Sequence, residues 1–321
     1  MRNITAFAVL VIIALIPRPL QAQEQGYAFS LTPQFGIVFG QAEEIVYPGD
    51  TKAAFLSQLL WDMQPVLYYG LLMDFSRLDQ QERWGFFSTL SLKNGIPGKT
   101  GYMEDRDWLS KENTDLTHYS KHDNHTRELF LLDFSPGLSF PFSRVLLFKT
   151  FINVSYMRFS FSGHHGYGEY NWPGYPPYVD YSGQKVISYI QEWLTASPGI
   201  SLGCFFLGRF FAELSFMASP LIVCADLDEH KSVDVKEGST TSQQFRDYMR
   251  GGILFEPGFR LSYTINKWLA ATWDFSWRYI NGTRGDTYKR SPIGRGGYVL
   301  VGEAGAGLSV INSSLGLKVR L

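Results

Sequence analysis

The sequence predicts an all-β protein, a ten-stranded antiparallel transmembrane β-barrel with long extracellular loops. Three observations carry this reading. Aromatic residues make up 16% of the chain and glycine 31 of its 321 residues, a mixture that suits tyrosine- and tryptophan-girdled β-structure better than helices. Several stretches alternate apolar and polar residues for ~12 or more positions, farther than strands of a soluble sandwich usually run. Short links, finally, alternate with long polar connections.

The chain opens with Arg2, an unbroken apolar run from Ala6 to Ile16, then Pro17, Pro19 and a small-residue exit at Ala22. That order reads residues 1–22 as a secretory signal peptide and residues 23–321 as one barrel. The run is too short to span a bilayer, and no other stretch approaches the ~18 consecutive apolar residues of a membrane helix, so any crossing falls to strands. The chain carries 29 basic and 30 acidic residues, and removing residues 1–22 takes away Arg2 and Arg18 but no acid. The mature chain is weakly acidic, which argues against nucleic acid as a partner. Nothing in the sequence assigns an oligomeric state.

The strands justify themselves in order. In residues 146–158, Leu146, Phe148, Thr150, Ile152, Val154, Tyr156 and Arg158 share one face, against Lys149, Asn153 and Ser155. Between Met249 and Ile265 the odd positions read as the apolar face and the even ones, with Arg250, Glu256 and Arg260, as the polar face. After Asn266-Lys267 the pattern resumes, with Trp273, Phe275, Trp277 and Tyr279 opposing Thr272, Asp274, Ser276 and Arg278. The chain closes on Leu315, Leu317, Val319 and Leu321. Short turns are expected near Ser76–Arg83, Phe140–Ser143, Phe206–Arg209 and Ile265–Lys267, and long insertions at Pro48–Thr51, Gly98–His125, Ser162–Lys185, Asp226–Phe245 and Gly282–Gly296. Four turns and five insertions connect ten strands, an even number as bacterial outer-membrane barrels require.

One strand resists a single register. Glu213, Ser215 and Ser219 need the odd positions of Phe210–Ala225 to face the lumen, whereas Asp226, Asp228 and His230 need the even ones. A β-bulge near Pro220 is expected, because proline cannot donate to the ladder and bulges gather at barrel rims. Cys204 lies beside a turn and Cys224 high on the next strand, so the two are not expected to pair.

The chemistry gathers in two short motifs. In "ADLDEH", Asp226, Asp228 and His230 occupy every second position and share a strand face. In "MEDRDW", Asp105 and Asp107 do the same. A histidine beside an ionised aspartate is oriented and made more basic, and further carboxylates can hold the water it deprotonates. Such spacing also arises in solvated acidic loops and by itself has little specificity. No metal is assigned: neither motif has the Gly and Glu spacing of an EF-hand, and His118, His122, His125 and the pair His164-His165 read as solvated loop residues without an HExxH or cysteine partner. Cys224 reads as a packing residue. The aromatic segment Tyr170–Tyr181 reads as a substrate rim, an aromatic belt or a plain loop.

Taken together, the motifs resemble the omptin family of ten-stranded outer-membrane proteases. "MEDRDW" is similar to the family's Met-x-Asp-x-Asp-Trp and "DLDEH" to its Asp-x-Asp-Glu-His; "GQAEEIVY", "SQLLWDMQP", "RYING" and "GLKVRL" also fit. The resemblance implies an endopeptidase cleaving polypeptides at Arg or Lys sites from the outer membrane, its active site facing the outside. It implies Asp228 and His230 as the dyad that activates water, Asp105 and Asp107 as the opposing couple, and Glu44 with Asp226 as the acids that accept the basic side chain. It implies no cofactor beyond lipopolysaccharide or another outer-leaflet lipid as activator, met by Arg158 and, across a two-residue insertion, Arg246. Glu192 stands at a third, normally basic, lipid position and Tyr156 at a family glutamate, and the chain ends in Leu321 where phenylalanine is common. The competing reading is a non-proteolytic barrel adhesin or ligand-binding protein that keeps the mouth acids as a ligand surface.

Overall fold

The computed structural model describes residues 27–47, 54–78, 84–112, 114–233, 240–290 and 296–321. The proposed signal peptide, the insertion Pro48–Thr51 and parts of the other connections lie outside these. Every regular element is a strand: β1 (Tyr27–Val46), β2 (Ser57–Leu78), β3 (Gly85–Gly95), β4 (Gly98–Asp107), β5 (His118–Pro141), β6 (Leu146–Tyr170), β7 (Tyr178–Asp180), β8 (Lys185–Phe206), β9 (Phe210–Ser219), β10 (Leu221–Val233), β11 (Thr240–Arg250), β12 (Ile253–Thr264), β13 (Leu269–Asn281), β14 (Arg284–Arg290) and β15 (Val299–Arg320).

Four pairs, β3/β4, β9/β10, β11/β12 and β13/β14, each continue one wall strand across a kink, so with β1, β2, β5, β6, β8 and β15 the wall has ten strands. All neighbours are antiparallel, and β1 pairs with β15 from Ser30↔Arg320 to Val46↔Ala304, which closes the ring. Among the described residues closure leaves no wall strand with an open edge, and only the three-residue β7 at the rim is paired on one side alone. The chain turns where the sequence places Phe140–Ser143, Phe206–Arg209 and Ile265–Lys267; of the expected turn at Ser76–Arg83 only residues 76–78, the end of β2, are among the described residues.

Much of what reads as long loops is wall. Gly98–Asp107, Asp226–Val233 and Arg284–Arg290 are laddered strand. Both faces of these segments are polar, so the apolar alternation that betrays a lipid-facing strand is missing although the backbone pairing continues. The outward face explains why. Exposed apolar side chains such as Phe35, Ile152, Leu194, Ile200, Leu214 and Leu315 form a belt around the lower wall. Above it the outward positions turn polar at Glu128, Arg158 and Glu192, and beyond them at Gln41, Glu43, Gln58, Glu104 and Lys121. Strands of 20 to 25 residues (β1, β2, β6, β8) are roughly twice the ~9–11 that cross a bilayer. The upper half of the barrel therefore stands outside the membrane-spanning segments.

At the boundary, several wall strands change face. Ser219 is buried below Pro220 and Ile222 above it, while β8 meets Met217 at Gly199 but Leu221 at Ala196, one extra residue on the β9/β10 side. This is the expected bulge, and the Ser219 hydroxyl fills the break by accepting the Leu221 N–H at 2.8 Å. The same switch occurs between Met63 and Val66 on β2 and between Thr126 and Leu129 on β5. On β11/β12 it falls at Gly251-Gly252, with φ of 76° and 82°, so Met249 is buried inside rather than on the outward apolar face expected from its odd position. From Ile253 onward the expected facing holds. A Cβ on Gly252 would lie 2.3 Å from the Asn281 carbonyl oxygen, so only glycine fits there.

These switches divide the lumen into three layers. The lowest is a polar cavity of about 210 Å³ whose charges pair with one another: Arg278 with Asp133 and Glu256, Lys149 with Glu213, Arg260 with Asp274. Above it lies an apolar plug including Trp61, Tyr68, Met157, Phe159, Phe161, Trp193, Met249 and Leu308. Cys224 is buried in this plug and Cys204 lies beside the β8–β9 turn; both are unpaired thiols. The mouth rests on the plug.

Candidate active site

Asp226, Asp228 and His230 project together from β10 because two-residue spacing on a strand returns to the same face. Asp226 and Asp228 are buried and His230 half-buried. His230 Nε2 is hydrogen-bonded to Asp228 Oδ2. Burial works against charge on the imidazole, but Asp228, with Asp105 and Asp107 behind it, pushes His230 up to about 9. Asp105 and Asp107 come from β4, opposite Leu59 and Ser57 of β2. They lie close enough to His230 for their charges to act on one another, so β4 and β10 face each other across the mouth. Burial, then Asp107, raises Asp105 well above the usual carboxylate range, and burial raises Asp107. The Ser57 hydroxyl reaches Asp105 Oδ1 at 3.4 Å.

Below the dyad is an acidic pocket. Glu44 on β1 and Asp226 are both buried, and burial raises both carboxyls well above their ordinary values, helped by Asp228 beside Glu44 and by Asp247 beside Asp226. The Tyr189 hydroxyl donates to Asp226 Oδ2 at 2.9 Å and accepts from Gln191 Nε2 at 3.0 Å, while Gln191 Oε1 accepts from Trp193 Nε1 at 2.9 Å. Trp61 stacks on Tyr189 at 5.4 Å and on Phe161 at 5.5 Å, giving the pocket a flat aromatic floor.

Two features escaped the sequence reading. Asp247 on β11 is fully buried and pairs across the ladder with Asp226; burial pushes its carboxyl up to about 6. It stands alone in the sequence, and only the β10–β11 register brings it into the pocket. The relay Tyr189–Gln191–Trp193 does carry a signal, since three hydrogen-bonding side chains recur at every second position of β8.

Other expectations resolve differently. His122 is not a solvated loop residue: it is buried, bonded to the Ser120 hydroxyl at 2.9 Å and to the His165 carbonyl. His118 pairs with Asp107 across β4–β5 and packs edge-on against Tyr170 at 5.1 Å and Tyr175 at 5.5 Å. Part of the Tyr170–Tyr181 segment thus walls the mouth beside Asp107. Arg158 is held by Glu128 at 3.0 Å and Glu192 at 2.6 Å, and Glu192 also accepts from the Tyr156 hydroxyl at 2.6 Å. Arg246 sits over the Tyr298 ring at 4.9 Å, separated from Arg158 by β8 and β10.

Among solved structures, the barrel is similar to the outer membrane protease OmpT from Escherichia coli, with a TM-score of 0.77, 17% identity, and coverage of 92% of this chain and 97% of that one. The outer membrane protein OprG from Pseudomonas aeruginosa aligns over 93% of this chain and 98% of its own at 11% identity, but with a TM-score of 0.35. A search of curated proteins returns no match. The Omptin family model matches residues 25–321, which spans every described strand, and the chain belongs to the Omptin family.

Proposed function

We propose that the protein is an outer-membrane endopeptidase that cleaves polypeptides at basic residues, with its mouth facing the outside of the cell. The observation that carries this reading is the His230–Asp228 pair facing Asp105 and Asp107 across a cleft, directly above the buried carboxylates Glu44 and Asp226. A water held by Asp105 and Asp107 loses a proton to neutral His230 as its oxygen attacks the scissile carbonyl. Asp228 stabilises the imidazolium that forms. When the tetrahedral intermediate collapses, the imidazolium returns that proton to the departing amine, so the site ends as it began. No covalent enzyme intermediate is needed. Glu44 and Asp226 receive the basic side chain of the substrate, since a buried cation requires a carboxylate partner.

An outer-leaflet lipid contacting Arg158 and Arg246 belongs to the same proposal. Because Arg158 is already neutralised by Glu128 and Glu192, an anionic headgroup there has to displace a carboxylate, so activity is expected to persist without lipopolysaccharide. The test is cleavage of a dibasic fluorogenic peptide by refolded protein, with and without lipopolysaccharide. Cleavage in both supports the reading. No cleavage in either by an intact barrel favours the ligand-binding alternative.

A further inference from the structure

We propose that Asp247 is a third specificity-determining carboxylate, which joins Glu44 and Asp226 in receiving a guanidinium and sets a preference for arginine over lysine. The inference rests on the proteolytic reading and adds a residue to its pocket.

Asp247 is 0% exposed, and neither of its oxygens has a hydrogen-bond partner; Glu44 Oε2 and Asp226 Oδ1 are equally bare. The three acids come from three wall strands, β1, β10 and β11, yet each brings a carboxylate oxygen within 4.8 Å of the other two. Among the described residues no lysine or arginine forms an ion pair with any of them. Burial holds these carboxyls toward the protonated form, and a cation from outside the chain supplies the charge that lets them ionise.

The surroundings favour a flat, delocalised cation. Tyr189, stacked on Trp61, occupies one side of Asp226 with its hydroxyl, which leaves Oδ1 facing the other acids. A guanidinium presents five N–H donors in one plane and stacks on aromatic faces, so it can serve several carboxylates at once; an ammonium presents three donors around a point charge. Asp247 pairs on its other side with Thr287 of the adjacent strand β14, which fixes its backbone in the wall between β10 and β14.

The experiment uses the full refolded chain and its Asp247→Asn variant. Peptides with Arg, Lys or an uncharged residue before the scissile bond are assayed, and equilibrium binding of benzamidine, a planar amidinium, is followed with and without calcium. The expected result is a rise in KM for the Arg peptide of roughly 30-fold or more, with kcat little changed, an Arg-to-Lys ratio falling toward one, and a parallel loss of benzamidine affinity. The uncharged peptide should be unaffected. An unchanged KM and Arg-to-Lys ratio in a variant whose parent cleaves after Arg overturns the role of Asp247 while leaving the proteolytic reading intact. If the parent cleaves nothing, that reading fails separately and benzamidine decides: Asp247-dependent binding keeps the cation pocket, and absent or unchanged binding removes it. Calcium that stabilises the parent and expels benzamidine, with loss of cleavage on chelation, assigns the oxygens to a metal and overturns the proposal. Should Asp247→Asn not form the barrel, Asp247→Ser is measured in the same way.

Discussion

His230 and Asp228 lie two residues apart on one strand face, and the imidazole binds the carboxylate through Nε2. In the proposed mechanism that leaves Nδ1 as the nitrogen that exchanges a proton with water. His230→Ala and Asp228→Ala should each lower kcat by ~10²–10⁴ without loss of the barrel, the usual scale of general-base catalysis. Near-parental turnover in either variant would remove the dyad from the mechanism.

The same pair sets a pH dependence. With His230 held up to about 9, the base is mostly protonated at neutral pH and the rate should climb as pH rises toward that value. Asp228→Asn takes away the charge that holds the proton, so the acid limb of its residual activity should move down toward the ordinary ~6.5. A pH–rate profile of each protein reads the shift directly.

Glu44→Gln with Asp226→Asn should cut cleavage after Arg far more than cleavage after uncharged residues, because buried acids grip a cation that solvent cannot screen. If the acids only lend negative potential to the mouth, high salt should erase the preference and the double variant should lower all basic substrates equally. Specificity constants at low and high salt distinguish the two.

The raised groups of the mouth contribute stability that falls as pH rises. Asp247 is held up to about 6 in the fold against ~3.9 in the unfolded chain, so it binds its proton more tightly when folded. Its contribution is complete below ~3.9 and lost as pH rises through 6, on the order of 3 kcal/mol. His230 acts in the same sense, present below ~6.5 and lost through about 9. Asp247→Asn should lose less unfolding midpoint than the parent between pH 4 and 6, with the other raised acids of the mouth still contributing.

Trp61 is fully buried against Tyr189 and Phe161, which also touch each other. Trp61→Ala should cost about 3–5 kcal/mol by opening a cavity in the plug. It should also loosen Tyr189 beneath Asp226, so the Arg peptide should lose affinity while the uncharged peptide does not. An unfolding curve and paired KM values test both halves.

What the sequence discloses depends on what each face touches. Lipid on one side and water on the other leave a two-residue rhythm, so Leu146–Arg158 and Ile253–Thr264 were readable as wall. Higher up both faces are polar, the rhythm vanishes, and Gly98–Asp107 passes for loop although it pairs with β5 across a bulge at Lys99–Tyr102 and with β2 from Met103 onward. Pro220 could be read as a break because the polar residues on either side demanded opposite parities. Met249 and Gly251-Gly252 carried no such conflict, and the face was misassigned. Asp226, Asp228 and His230 were legible for the same rhythmic reason; Asp247 was not, since its partner is set by a register that no local pattern encodes.

The plug of Trp61, Phe161, Trp193, Met249 and their neighbours has a consequence for the cell that carries this barrel. A ring of this girth without a filled centre would be a leak, conducting ions and small solutes across a permeability barrier. Dry packing in mid-lumen makes it an electrical insulator instead. Single barrels in a planar bilayer should pass no measurable current, and many copies can sit in one membrane without dissipating any gradient.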